Sequence, residues 1–286
     1  MSRITQTFKR LKQEERIALI GYITAGNPDL ERSFEIVDAA CGAGLDLLEF
    51  GIPFSDPFAD GPVLQRAAQR AIESGMTLEK GLQFIRRLRE RHDLPIIIFS
   101  YYPPIPAMGT ERFVTEAINA GADGALIVDL PNESTDEMTQ VAKQRKGFHL
   151  IKLIPPTMQP LQKSKVLRQA DGFVYCISRQ GVTGTNAVNN TINWDELSQS
   201  VATMRMETNV PLCVGFGISA PDDVRKVAKI ADGVIIGSAF QKLIENNPDE
   251  AKVAIAQLIR ECKKASYKVC CGDEKRAHLL RRGPLR

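Results

Sequence analysis

A chain of 286 residues with 43% hydrophobic side chains can bury a large core, and its formal charge of +3, from 37 basic and 34 acidic residues, is too even to make nucleic acid the main partner. The longest apolar runs are strand-length, well short of the roughly 20 residues that span a bilayer, and residues 1–12 hold no signal-peptide core. Six cysteines scattered along the chain do not make a disulfide framework, so a cytoplasmic protein with reduced thiols is expected.

In chain order, residues 2–14 read as a short helix ahead of the first strand, placed to cover one end of whatever follows. Eight short apolar runs come next: 18–22, 45–50, 95–100, 125–128, 150–154, 173–177, 211–214 and 234–236. They are partly β-branched and mostly lack polar alternation, as parallel strands buried on both faces do. Between them lie segments with helical spacing, such as Leu78, Leu82, Ile85 and Leu88, or Leu197, Val201 and Met204. Strand–helix alternation repeated eight times means a closed barrel or a large doubly wound sheet. The count of eight favours the barrel. So do the absence of a Gly-x-Gly-x-x-Gly turn after the first strand and the glycine turns after the last two. The expectation is an α/β chain forming a single (β/α)8 TIM barrel over residues 1–265, with an extra N-terminal helix. Residues 266–286, rich in Lys and Arg without apolar periodicity, are expected to form a mobile basic tail.

In such a barrel the loops at the C-terminal ends of the strands carry the chemistry. Glu49 stands near that end of the second run, inside Leu47-Leu48-Glu49-Phe50. A carboxyl group among buried apolar residues is costly to ionise, which suits an acid/base catalyst; a structural carboxylate bonded to backbone or lysine fits the same pattern. The following loop, 53–62, carries three prolines, Asp56, Asp60 and Gly61, and suits either a lid or a rigid surface turn. After the sixth run, Ser178-Arg179-Gln180-Gly181-Val182-Thr183-Gly184 has the glycines of a loop that closes over a ligand. Gly215-Phe216-Gly217 and Gly237-Ser238 follow the last two strands, where barrels often cradle phosphate on backbone N–H groups. Lys152 invites a Schiff base, but with Leu153 facing inward it is expected to point at the helices. The histidines form no motif, and Cys262, Cys270, Cys271 and His278 fit no common zinc spacing, so no metal is expected.

The segment Gly51-Ile52-Pro53-Phe54-Ser55-Asp56-Pro57, running on through Ala59-Asp60-Gly61-Pro62, resembles the signature of tryptophan synthase α subunits. Ile23-Thr24-Ala25-Gly26-Asn27-Pro28, the 178–184 segment and Val214-Gly215-Phe216-Gly217-Ile218-Ser219 resemble further motifs of that family, in order along roughly residues 1–265. The resemblance implies a lyase that cleaves indole-3-glycerol phosphate by a retro-aldol reaction to indole and glyceraldehyde 3-phosphate. It implies Glu49 as general acid/base and Asp60 as the carboxylate facing the indole N–H. It further implies substrate contacts from Tyr22, Phe99, Leu126, Tyr175 and Thr183, and a phosphate cradle of Gly184, Gly215, Phe216, Gly217, Gly237 and Ser238. No cofactor is implied for this chain. The partner would be a β subunit carrying pyridoxal phosphate, in an α2β2 heterotetramer, met by Pro53, Asp56, Pro103 and Arg179. Here the chain departs from the family, since most relatives carry Asn where it has Pro103; proline removes both the amide side chain and a backbone donor. Val63, where relatives often have Thr, is a milder departure.

Overall fold

The computed structural model describes residues 1–145, 147–178 and 192–268, with backbone alone for 132–134 and 136. The chain opens with α1 (Arg3–Gln13), β1 (Ala18–Thr24), α2 (Leu30–Gly42) and β2 (Leu47–Gly51). Then come α3 (Pro62–Glu73), α4 (Leu78–Arg89), β3 (Ile96–Ser100), α5 (Pro104–Met108), α6 (Thr110–Ala120), β4 (Gly124–Ile127) and α7 (Asn132–Gln144). The second half contributes β5 (His149–Leu150), β6 (Lys152–Ile154), α8 (Pro160–Gln169), β7 (Val174–Ile177), α9 (Trp194–Arg205) and β8 (Leu212–Gly215). It finishes with α10 (Pro221–Ala228), β9 (Gly233–Ile236), α11 (Ser238–Asn246) and α12 (Ala251–Ala265).

The strands are all parallel, in the order β5-β4-β3-β2-β1-β9-β8-β7-β6. The two ends of that order, β5 and β6, are consecutive in the chain and separated only by Ile151. The ring therefore closes through a single residue, and the fold is the expected (β/α)8 barrel. The expected fifth strand is split because it serves two neighbours: β5 pairs with β4, and β6 with β7. At the interruption, Ile151 still donates its N–H to the Ala125 carbonyl of β4 at 2.8 Å.

Alternation along the strands separates two cores. Leu19, Ile23, Leu48, Phe50, Ile96 and Ile98 face outward into the helix layer. Ala18, Ile20, Leu47, Ile97, Leu126, Phe173, Tyr175, Cys213 and Ile235 face inward and fill the barrel. Helix α1 stoppers its lower end, sending Ile4 and Leu11 into the inner cluster and setting Phe8 with its ring 6.1 Å from that of Phe173. Its first turn is capped by Ser2, whose hydroxyl accepts from the Thr5 N–H. Lys152 donates toward the Thr139 hydroxyl of α7 at 3.5 Å, while Leu153 packs on the inner core, so the lysine does face the helices.

The lower rim repeats one polar device. Asp46, Asp123 and Asp232 each immediately precede a strand, and each accepts an N–H from the first two residues of the neighbouring strand, from Leu19, Ile96 and Leu212 at 3.0, 2.9 and 2.9 Å. Each also holds an arginine: Arg16, Arg89 and Arg205 respectively. The Arg16–Asp46 pair is bidentate at 2.7 Å on both arms, and both side chains are almost fully buried. Chain 15–17 also pairs with the residues after α12. Ile17 N–H donates to Ser266 at 2.9 Å, Lys268 N–H to Glu15 at 2.7 Å, and Arg16 bridges Tyr267. Ser266, expected to begin a tail, is fully buried, and the paired backbone runs on to Lys268. The rest of that expected tail, 269–286, lies outside the described residues.

Removing one partner of a buried pair costs about 3–5 kcal/mol, and without Asp46 the two Nη groups of Arg16 lose their acceptors while Nε keeps Glu14 at 2.7 Å. Asp46→Ala is therefore expected to lower unfolding stability by that amount, read as a loss in urea midpoint at pH 7. A loss below about 1 kcal/mol, the range of exposed pairs, would show that Arg16 finds other partners.

Candidate active site

Strand register brings the site together. Tyr22, Glu49 and Ile97 are paired across β1, β2 and β3, so Glu49 lies level with Tyr22 on the inward face, one step above Leu47. Glu49 is fully buried, and neither carboxyl oxygen has a hydrogen-bond partner among the described residues. Burial alone pushes its pKa up to about 8, because the ionised form would stand unsolvated among apolar walls. At neutral pH the group is a carboxylic acid, able to donate a proton.

Asp60 sits above it, near the end of the loop that follows β2. The backbone there is fastened at both sides: Asp60 N–H donates to Pro57 at 3.0 Å, and the Gln65 side-chain amide donates to the Asp60 carbonyl at 2.9 Å. Burial raises the Asp60 carboxyl to about 6, and the Tyr101 hydroxyl, donating to it, pulls in the other direction. The same phenol oxygen accepts the Ala59 N–H at 3.1 Å, and the Tyr101 ring is stacked against Phe54 and edge-on to Phe58. Environment thus separates the two carboxyls, leaving one neutral and one ionised near pH 7.

The walls are aromatic. Tyr22 and Phe99 meet edge to face at 5.0 Å, and Tyr175 meets Phe216 likewise at 6.1 Å. Burial raises both tyrosine phenols, so they stay protonated. Two glycines make room for them, since a Cβ at Gly51 would lie 2.6 Å from the Tyr22 hydroxyl and one at Gly215 only 2.3 Å from that of Tyr175. The resulting cleft, about 420 Å³ including its open mouth, is lined by Glu49, Asp60 and these rings, with Leu64, Ile218 and Ile235 completing the apolar wall.

At the other side of the cleft stand Phe216, Gly217, Gly237 and Ser238. Phe216 and Gly217 are both left-handed, at φ 77° and 79°, and the Ser178 hydroxyl donates to the Phe216 carbonyl. A phenylalanine in that conformation carries about 1–2 kcal/mol of strain, held by the turn around it. Helix α11 begins at Ser238 behind Gly237, with no side-chain cap. Its first-turn N–H groups are open to an anion, and the helix dipole adds to their pull. The neighbouring α10 is closed to such a role, because Asp223 already accepts the N–H groups of Ser219 and Ala220 at 3.1 and 3.3 Å. A cleft with an apolar aromatic floor, one protonated and one ionised carboxyl, and an anion cradle fits a planar aromatic group joined to a phosphate.

A family model described as tryptophan synthase alpha chain matches residues 8–269. The tryptophan synthase alpha chain of Desulfosudis oleivorans is 45% identical over 269 residues, covering 93% of this chain and 99% of the relative. That of Desulfatibacillum aliphaticivorans is 45% identical over 247 residues, covering 86% and 91%. A crystal structure of tryptophan synthase subunit alpha from Legionella pneumophila superposes with a TM-score of 0.84 at 33% identity, covering 94% of this chain and all of the other. The chain belongs to the tryptophan synthase alpha chain family. Its activity is that family's, lyase cleavage of indole-3-glycerol phosphate.

Set against this tryptophan synthase alpha fold, most residues expected from the sequence lie at the cleft: Glu49, Asp60, Tyr22, Phe99, Tyr175, Phe216, Gly217, Gly237 and Ser238. Gly215 lies behind Tyr175, where its missing side chain gives the phenol its place. Leu126 is in the barrel core and is not among the cleft-lining residues. Arg179, Thr183 and Gly184 lie outside the described residues. Pro53 is half-buried, while Asp56 and Pro103 are exposed on the two neighbouring loops joined by the Phe54–Tyr101 stack. Sequence reasoning missed Tyr101 and Leu64. Both had a signal, one directly following the third strand and the other in the first helical turn after Asp60.

The raised Glu49 pKa makes a stability prediction. Unfolded, the carboxyl titrates near 4.5; folded, near 8. Its contribution is therefore fully present below the lower value and lost as pH rises toward the higher one, by on the order of 5 kcal/mol at about 1.4 kcal/mol per pH unit. Glu49→Gln removes that dependence. Urea unfolding of both proteins from pH 5 to pH 9 should show the variant gaining on the wild type as pH rises; parallel curves would mean that Glu49 ionises freely when folded.

Proposed function

We propose that Glu49 and Asp60 divide the cleavage between them. The indole ring lies among Tyr22, Phe99 and Tyr175, and the phosphate rests on Phe216, Gly217 and the open end of α11. Neutral Glu49 gives its proton to indole C3. The electrons of the breaking bond between C3 and the glycerol carbon return to the ring, and the carboxylate so formed takes the proton of the adjacent hydroxyl as it becomes the aldehyde. Asp60, ionised, faces the ring N–H and stabilises the positive charge that C3 protonation creates. The observation that carries this assignment is the fully buried Glu49 carboxyl, with no hydrogen-bond partner among the described residues, a short way below a second carboxyl that accepts from the Tyr101 hydroxyl.

We further infer a β subunit as partner, supplying pyridoxal phosphate from its own site and receiving indole within an α2β2 heterotetramer. The exposed Phe58, 62% accessible, supports such a face beside Asp56 and Pro103 at the mouth. An apolar aromatic at that rim gives a partner something to bury where Pro103 offers no amide. A cytoplasmic setting goes with this reading and with the free, buried thiols of Cys41, Cys176, Cys213 and Cys262.

The test is indole release from indole-3-glycerol phosphate by the purified chain, alone and with an added β subunit. Glu49→Gln should lose about 10²–10⁴ in kcat, the usual worth of a positioned acid/base. Slow release alone and acceleration by the β subunit are expected; brisk release alone would point to a free-standing lyase, and stimulation of the β subunit without cleavage to an activator. The pH profile is a separate prediction. With Asp60 required ionised and Glu49 protonated, kcat/KM should rise through about 6 and fall through about 8. A profile flat across pH 7–9 would remove Glu49 as the proton donor.

A further inference from the structure

Helix α11 has no basic residue in its first turn, and the cleft wall beside it, as described, has none either. A phosphate there is held by the direction of backbone N–H groups, and direction is sensitive to small tilts: a displacement of about 1 Å in a positioned group can cost about a hundredfold. What fixes the axis of α11 therefore bears on phosphate affinity.

A ring of four side chains does this. Arg70, on α3, donates from Nε to the Asn27 side-chain oxygen at 2.9 Å and from Nη1 to Glu245 at 3.2 Å. Asn27, in the loop after β1, donates from Nδ2 to the Gln241 side-chain oxygen at 2.8 Å. Gln241 and Glu245 are one turn apart on α11, so the ring closes on that helix. Gln241 also donates its backbone N–H to Gly237, fixing the turn that carries the open N–H groups. Arg66, one turn before Arg70, grips both Glu245 oxygens at 2.6 and 2.9 Å and, ahead of Arg70, holds that carboxyl down at about 2. At its other end, α3 starts directly after Asp60 and holds the Asp60 carbonyl through Gln65.

Asn27 and Gln241 are completely buried, and the Arg70 Nη2 and Gln241 Nε2 groups have no partner among the described residues. Apolar side chains would fill such space without stranded donors, so stability alone is a poor reason for this polarity. Directional bonds, in contrast, set a helix at one rotation and height. We propose that Arg70 is a positioning residue for substrate binding, locking α11, whose first turn faces the phosphate, to α3, the helix that follows the Asp60 loop, through Asn27 and Glu245. The inference rests on the phosphate placement proposed above.

The test uses the full chain and two probes that divide the substrate, sn-glycerol 3-phosphate and indole, titrated calorimetrically, with thermal unfolding followed in parallel. Arg70→Met should weaken glycerol 3-phosphate binding about tenfold while indole affinity stays within about twofold. In turnover, KM for indole-3-glycerol phosphate should rise more than kcat falls. Arg70→Lys, which keeps the charge but reaches only one of the two acceptors, should recover part of the loss. Gln241→Met, close in size, tests the same ring where Arg70→Met fails to fold. Ile255→Val in the α12 core serves as a control for stability loss without effect on either probe. Unchanged glycerol 3-phosphate affinity in a destabilised Arg70→Met protein would overturn the proposal, as would equal loss of both probes, which marks general loosening. Wild-type protein that fails to bind glycerol 3-phosphate would instead overturn the phosphate placement, and the inference with it.

Discussion

Burying the Glu49 carboxyl with no hydrogen-bond partner among the described residues is the constraint around which this barrel is arranged. A lone carboxylate in an apolar interior is too costly to keep, so the group holds its proton, and its pKa of about 8 measures that cost. Every near neighbour contributes to the isolation. Leu47 lies below it, Tyr22 and Phe99 form one wall and Tyr175 another, and glycines at 51 and 215 let the phenols close in. The chemistry asked of Glu49 and the instability it brings to the fold are the same physical fact.

The compensation lies at the opposite end of the barrel. There carboxylates are satisfied in full: Asp46, Asp123 and Asp232 each close a strand N–H and an arginine, and α1 seals the inner core with Phe8 and Leu11. Asp171, ahead of β7, faces His149 at 2.7 Å in a related arrangement. The two rims thus treat the same residue type in opposite ways. Below, an aspartate is paired and serves stability; above, burial raises Asp60 to about 6 against the pull of a single tyrosine, and the proposed mechanism gives it a part in the reaction.

Much of this was legible in the chain because strands buried on both faces leave unbroken apolar runs, and a charge inside such a run stands out. Glu49 was visible for that reason, as were the glycine turns after the last two strands. What pattern could not separate, catalytic acid from satisfied structural carboxylate, depended on whether any donor lay within reach, and only the three-dimensional neighbourhood answers that. The break at Ile151 was hidden because the apolar run passes through it without a change of pattern, and only the change of partner from β4 to β7 marks it. Ser266 was misread as tail since its burial comes from pairing with residues 15–17, some 250 positions away. The Arg70 ring draws on residues 27, 70, 241 and 245 and was invisible for the same reason.

In the proposed mechanism, the absence of a cation from the described part of the phosphate cradle fits the demand placed on Glu49. A lysine or arginine at Gly217 or Ser238 would bind phosphate more strongly, yet its charge would act through the same low-dielectric cleft on a carboxyl nearby. An opposite charge favours ionisation, and the pKa of about 8 would fall toward the ordinary carboxylate range. The proton that the proposed mechanism needs at indole C3 would then be absent at neutral pH. Backbone N–H groups and a helix end supply attraction that weakens quickly beyond the first turn, so they hold an anion without reaching far across the site. A dianionic substrate and a neutral carboxylic acid can share one small cleft on these terms, provided the helix that presents those N–H groups is held in place by something other than the charge it lacks.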